Sequence, residues 1–128
     1  MWQYDKTITP PAPFLDVLLR SPTDAALAIT MPAKLDTAAD ITAISETVLE
    51  TLKLQAGDEI SVSGYDGHLA SVRTYFVILE VAQARFRIAE VVITPEPYAL
   101  LGRDVLNYFY ARLNGPDLTF DLSLSASR

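Results

Sequence analysis

Two short stretches of this chain hold residue types from which acid–base chemistry can be built. The first is Lys34-Leu35-Asp36-Thr37-Ala38-Ala39-Asp40. An apolar run ends there in a carboxylate, followed at once by a hydroxyl and two small residues. That layout holds a carboxylate on a tight turn where backbone can approach it closely. The second stretch, Leu100-Leu101-Gly102-Arg103-Asp104-Val105-Leu106, lies some sixty residues later. A lone aspartate at a strand end also has a plainer use, capping nearby backbone amides of its own turn. Two carboxylates a few ångströms apart do more: they cannot both ionise, so they share a proton, and one can activate a water while the other donates. The titration then belongs to the pair and not to either member.

Other chemistries find less support. The chain has no cysteine, so thiol catalysis and disulfides are ruled out. With His68 as the one histidine, a zinc site would have to rely on carboxylates, and none is suitably spaced. A Ser-His-Asp triad would need His68, yet no Gly-x-Ser-x-Gly elbow is present; a solvent-facing His68 is expected. Ten basic against sixteen acidic residues give a net charge of −6. The basic residues are scattered singly, which argues against nucleic acid as a partner. At 128 residues, half of them hydrophobic, the chain fits one domain with an ordinary core. Apolar stretches such as Tyr75 to Leu79 are far too short to span a membrane. The start, Met1-Trp2-Gln3-Tyr4-Asp5-Lys6, lacks the apolar segment of a signal peptide, so a cytoplasmic location is the expectation.

The elements that must position the two stretches read mostly as strands. Residues 1–13, with Pro10, Pro11 and Pro13, suggest an extended lead-in. Phe14 to Leu19 and Ala25 to Leu35 are apolar runs of strand length around a Ser21-Pro22-Thr23-Asp24 turn. Ile41 to Ile44 suits a short strand. From Glu46 to Leu54 the spacing of Val48, Leu49, Leu52 and Leu54 predicts a helix with Ser45 as N-cap and a stop at Gln55-Ala56-Gly57-Asp58. Ile60–Ser63 and Leu69–Phe76 alternate around Tyr65-Asp66-Gly67, a hairpin signal. Two more strands are expected at Tyr75–Ala82 and Phe86–Ile93, then a rigid loop at Thr94-Pro95-Glu96-Pro97. A helical turn follows from Arg103, with Asp104 placed to favour its N-terminal dipole. Phe109 to Leu113 and Leu118 to Leu124 alternate around Asn114-Gly115-Pro116-Asp117 and suggest a closing hairpin. Residues 124–128 are expected as a loose tail.

Taken together, the two stretches resemble the signatures of retropepsin-like aspartic proteases, the single-lobed class that includes retroviral proteases. Asp36-Thr37-Ala38-Ala39-Asp40 is similar to that family's Asp-Thr/Ser-Gly-Ala-Asp, and Leu100-Leu101-Gly102 matches its apolar-apolar-Gly pattern. The Gly64-Tyr65-Asp66-Gly67 hairpin sits where the family has its flap. The resemblance covers about Phe14 to Leu124. It implies an all-β acid-protease barrel with one or two short helices, a flap hairpin and a homodimer, since such a chain carries half an active site. It implies no cofactor and no metal, and a peptide or protein substrate.

The resemblance also implies roles. Asp36 would act with the same residue of a second chain, and Thr37 would brace the pair across the dimer axis; the plainer use of Thr37 is to cap its own turn. Asp40 and Arg103 would form a bidentate charge pair tying the catalytic loop to the helix after Gly102, or else stand as independent surface charges. Gly64, Tyr65, Asp66 and Gly67 would close over substrate, with Tyr65 a candidate contact, or form an ordinary turn. Leu118–Leu124 would be an inner strand or an edge pairing with the second subunit, the latter being favoured. One departure is Ala38, where the family usually has glycine and a methyl group restricts the backbone. Ala39 offers no hydroxyl to the outer carboxylate oxygen, so a mildly acidic to neutral pH optimum is expected. The function implied is an aspartic endopeptidase; the alternative is a catalytically weak or inactive dimerisation or peptide-binding module on the same fold.

Overall fold

The computed structural model describes residues 1–63 and 67–125, the side chain of Ile88 excepted. Its backbone is mostly strand: β1 (Trp2–Asp5), β2 (Ala12–Arg20), β3 (Ala28–Leu35), β4 (Ala43–Ser45), β5 (Ala56–Ser63), β6 (Leu69–Val81), β7 (Ala84–Thr94), β8 (Ala99–Leu101), β9 (Tyr110–Asn114) and β10 (Thr119–Ser123). Two short helices, α1 (Thr47–Leu52) and α2 (Arg103–Leu106), interrupt them.

One continuous sheet runs β5-β6-β7-β4-β8-β3-β2-β1-β10-β9, and an added β6–β2 pairing curls its middle into a closed barrel. Closure leaves the barrel strands without free edges, which removes the hazard of unpaired backbone. Alternation along β2 shows how sequence drives this: Leu15, Val17 and Leu19 are buried while Asp16 stays exposed, the period-two pattern of a strand with one face on a core. Met31, Ala33, Val77, Leu79, Val91, Leu101 and the helix residues Val48, Leu52 and Val105 fill the interior with them.

Two pairings matter most for position. β3 and β8 run parallel, with Leu35 opposite Leu101; the two signature stretches therefore end side by side. β5 and the first half of β6 form a hairpin in register from Ser63–Leu69 to Glu59–Arg73. Its residues are mostly exposed on both faces, so it projects from the barrel as an arm. Gly64, Tyr65 and Asp66 at its tip lie outside the described residues. Gly67 has φ +78°, a left-handed conformation that glycine adopts at no steric cost.

Several expectations need correction. The lead-in contains a paired strand: β1 bonds to β10 through Trp2–Phe120 and to β2 through Tyr4–Pro13. Ser45 is not a helix cap but the buried last residue of β4; Glu46 holds the cap position with no side-chain cap bond. The helix stops at Lys53, in left-handed conformation, and Ala56-Gly57-Asp58 already belongs to β5. The two runs read over Leu69–Phe76 and Tyr75–Ala82 are one thirteen-residue strand, with a register shift between Val77 and Leu79. Finally, β10 lies between β1 and β9 of its own chain, so Leu118–Leu124 is not the sheet edge. β9 is that edge, and all five of its residues are exposed.

Candidate active site

Asp36 stands at the point where β3 leaves the sheet. Its N–H donates to the carbonyl of Leu101 at 2.9 Å, extending the β3–β8 ladder by one bond. The chain then turns sharply. The Ala38 N–H donates to Asp36 Oδ1 at 3.1 Å, and the Ala39 N–H donates to the Asp36 carbonyl at 3.2 Å. The aspartate thus does cap its own turn, and that bond fixes the direction of a half-exposed carboxylate. Thr37 and Ala38 are exposed at the apex. The Thr37 hydroxyl makes no hydrogen bond among the described residues, so capping the turn is Asp36's task and not its own.

Among the described residues the non-glycine positions with positive φ are Lys53, Ala82 and Leu118, and Ala38 is not one of them. The turn therefore does not demand a left-handed backbone at this position, and the methyl group is accommodated without strain there.

Arg103 holds the loop from the other side. Its N–H donates to the Ala39 carbonyl at 2.9 Å, and one guanidinium nitrogen donates to the Thr37 carbonyl at 2.7 Å. The other guanidinium nitrogen pairs with Asp40 Oδ1. Asp40 and Arg103 do meet, but the expected bidentate pair is a split fork: one arm on the carboxylate, one on the backbone. Side-chain exposures of 44% for Arg103 and 85% for Asp40 make the ionic part weak. The guanidinium geometry, which reaches two acceptors at once, matters more.

A second clamp was not anticipated from sequence. Thr42 is fully buried; its hydroxyl donates to Asp104 Oδ1 at 2.8 Å and accepts from the Gly102 N–H at 3.0 Å. Its own N–H donates to Asp104 Oδ2 at 3.0 Å. One threonine thereby joins both signature stretches and occupies both oxygens of Asp104. The signal in the sequence was a polar residue inside the apolar run Ile41–Ile44, read there only as β-branched. Gly102 is required by space: a Cβ would stand 2.8 Å from the Ile41 carbonyl carbon and 3.0 Å from the Ala39 carbonyl oxygen.

The structure thus brings Asp36, Thr37, Ala38, Asp40, Gly102 and Arg103 into one contiguous unit, and leaves Gly67 on the separate β5–β6 arm. His68, on that arm, is exposed. Among the described residues no three His, Cys, Asp or Glu side chains gather in a way that could hold a metal ion, and no helix is long and apolar enough to cross a membrane. Within the unit Asp40 is paired with Arg103 and Asp104 is bonded to Thr42, while Asp36 presents a half-exposed carboxylate at the start of the turn.

Comparison with known proteins fits this geometry. Residues 28–105, which include both stretches, match the family model described as aspartyl protease. A search of curated proteins finds no match. Among solved structures, a retropepsin-like aspartic protease from Rickettsia conorii is similar with a TM-score of 0.60 at 16% identity, over 94% of this chain and 87% of that one. Simian foamy virus (mac) protease matches with a TM-score of 0.55 at 20% identity, over 75% and 93% of the two chains. EIAV protease, solved with the inhibitor HBY-793, matches with a TM-score of 0.54 at 21% identity, over 75% and 86%. At these identities the structural likeness speaks for the fold, and the family match covers more than half of the chain: it belongs to the aspartyl protease family and has the retropepsin-like fold.

Proposed function

We propose that this chain is an aspartic endopeptidase that works as a homodimer, with Asp36 of each subunit flanking one water. The observation that carries the reading is the parallel β3–β8 pair. It delivers Asp36 to an exposed turn and secures that turn through Arg103 and the Thr42–Asp104 clamp. One chain presents one such carboxylate; a second copy supplies the other.

In the shared site one carboxylate is ionised and the other protonated. The ionised one takes a proton from water as its oxygen attacks the peptide carbonyl, and the protonated one donates to the carbonyl oxygen. The tetrahedral gem-diol collapses as the carboxyl that took the water proton passes it to the leaving nitrogen, the C–N bond breaks, and a gem-diol hydroxyl returns its proton to the other carboxylate, restoring the shared-proton state. Thr37, whose hydroxyl has no partner in its own chain among the described residues, is available to brace the second subunit. The β5–β6 arm, with Gly64, Tyr65, Asp66 and Gly67 at its tip, closes over an extended peptide bound by strand-like backbone bonds. The open edge β9 supports the dimer reading, since an exposed edge strand invites pairing with another.

Replacing Asp36 by Asn removes the proton-transfer group with little change of shape. Cleavage of a peptide library should vanish while the dimer persists in sedimentation. A wild-type chain that cleaves nothing at any pH from about 3 to about 8, a span taking in acidic and neutral conditions alike, would favour a dimerisation or peptide-binding module instead.

A further inference from the structure

Lys34 lies two residues before Asp36 on β3 and is half-buried. Alternation decides which way it points. Its neighbours Ala33 and Leu35, with Leu15, Ala99 and Leu101 on the adjoining strands, belong to or pack against the core. Lys34 and its cross-strand partners Phe14 and Leu100 therefore face outward, on the side where Asp36 continues the alternation. Two residues of strand separate the Cα atoms of Lys34 and Asp36 by roughly 6.6 Å, within the span of a lysine side chain. Tyr98 completes the surface, its ring edge-on to Phe14 with centroids 5.0 Å apart.

This small surface has an unusual composition for a place beside a carboxylate. Phe14, Leu100 and Tyr98 make an apolar wall, and the one cation in it has no ion-pair partner among the described residues. An ammonium with no protein acceptor beside an apolar wall makes a stronger, charge-assisted bond to a ligand carboxylate than to a neutral amide or an alkyl group. The bland use of Lys34, lying flat to cover apolar surface with its head in water, predicts no such discrimination.

Resting on the protease reading above, we infer that Lys34 is a specificity-determining residue, which selects substrates with Asp or Glu next to the scissile bond. The substrate's aliphatic carbons lie against Phe14 and Leu100, and its carboxylate accepts a charge-assisted bond from the Lys34 ammonium. In a two-fold dimer the second Lys34 makes the same contact on the other side of the bond, so acidic residues are favoured on either side.

The test uses peptides that differ only in Glu, Gln, Leu or Lys beside the scissile bond. For the wild-type dimer, kcat/KM for Glu should exceed that for Gln by about ten-fold, the scale of one charge-assisted bond. Lys34→Met, which keeps the packing volume, should abolish the Glu-over-Gln ratio and favour Leu; Lys34→Glu should favour Lys. The same peptides are also titrated by calorimetry against the Asp36→Asn chain, which reads the pocket without chemistry and should show the same order of affinities. Cleavage by wild type with equal rates for Glu and Gln overturns the inference and leaves the protease reading standing. Lys34-dependent preference for Glu in binding, with no cleavage by wild type, sustains the pocket and overturns the protease reading. A shifted pH profile in Lys34→Met with an unchanged Glu-to-Gln ratio assigns Lys34 to the electrostatics of Asp36 and overturns the inference.

Discussion

At the scale of single residues, the site depends on groups that never touch a substrate. Thr42 serves three hydrogen bonds at once in a fully buried position. Replacing it by Val keeps the shape but leaves the Gly102 N–H without an acceptor and removes one of the two bonds to Asp104. A loss of about 1–3 kcal/mol is expected from an unsatisfied buried polar group, measured as a lower denaturant midpoint; Thr42→Ser should recover most of it. A midpoint unchanged in Thr42→Val would mean that the clamp is not what joins the two stretches. Ala38 makes the opposite prediction. Because its backbone is not left-handed, Ala38→Gly should leave cleavage within a few-fold of wild type and cost about 0.5–1 kcal/mol through added unfolded-state freedom. A large gain in kcat would show that the methyl group does obstruct the site. The sequence revealed Asp36, Gly102 and Arg103 because their types are distinctive in order. It hid Thr42, since a threonine in a β-branched run reads as strand former until the Asp104 carboxylate is seen beside it.

At the scale of elements, most strands were legible because one face is buried and the other wet, and the failures have physical causes. The β6–β7 turn has Ala82 at φ +53°, a left-handed residue that nothing in its type announces, so alternation alone carries the first strand one residue too far. Phe120 and Leu122 are buried on β10, and alternation reports such one-sided burial without saying which strands flank it. Alternation thus leaves open whether Leu118–Leu124 is an inner strand or an edge; β10 is inner, and β9 holds the edge. On β9, Leu113 lies opposite Phe120 yet is 58% exposed, an apolar side chain on the core-facing side with nothing over it. Leu113→Glu should therefore weaken dimerisation by at least ten-fold, seen in sedimentation, without shifting monomer unfolding by more than about 0.5 kcal/mol, as for an exposed site. Equal sedimentation for variant and wild type would remove β9 from the interface.

At the scale of the whole molecule, the barrel is built so that residues 66 positions apart meet. The parallel β3–β8 pairing and the β2–β6 closure join distant segments, and no local pattern encodes which strands become neighbours. The architecture was legible only through the resemblance of the two stretches to a known family; the strand order was not. On the proposed function, what the architecture supplies is half of a symmetric site. The most direct measurement of that claim mixes wild-type chains with Asp36→Asn chains, co-refolded at constant total concentration. If each active site takes one Asp36 from either subunit, activity should fall as the square of the wild-type fraction. A linear fall would show that one chain suffices, and would contradict the account.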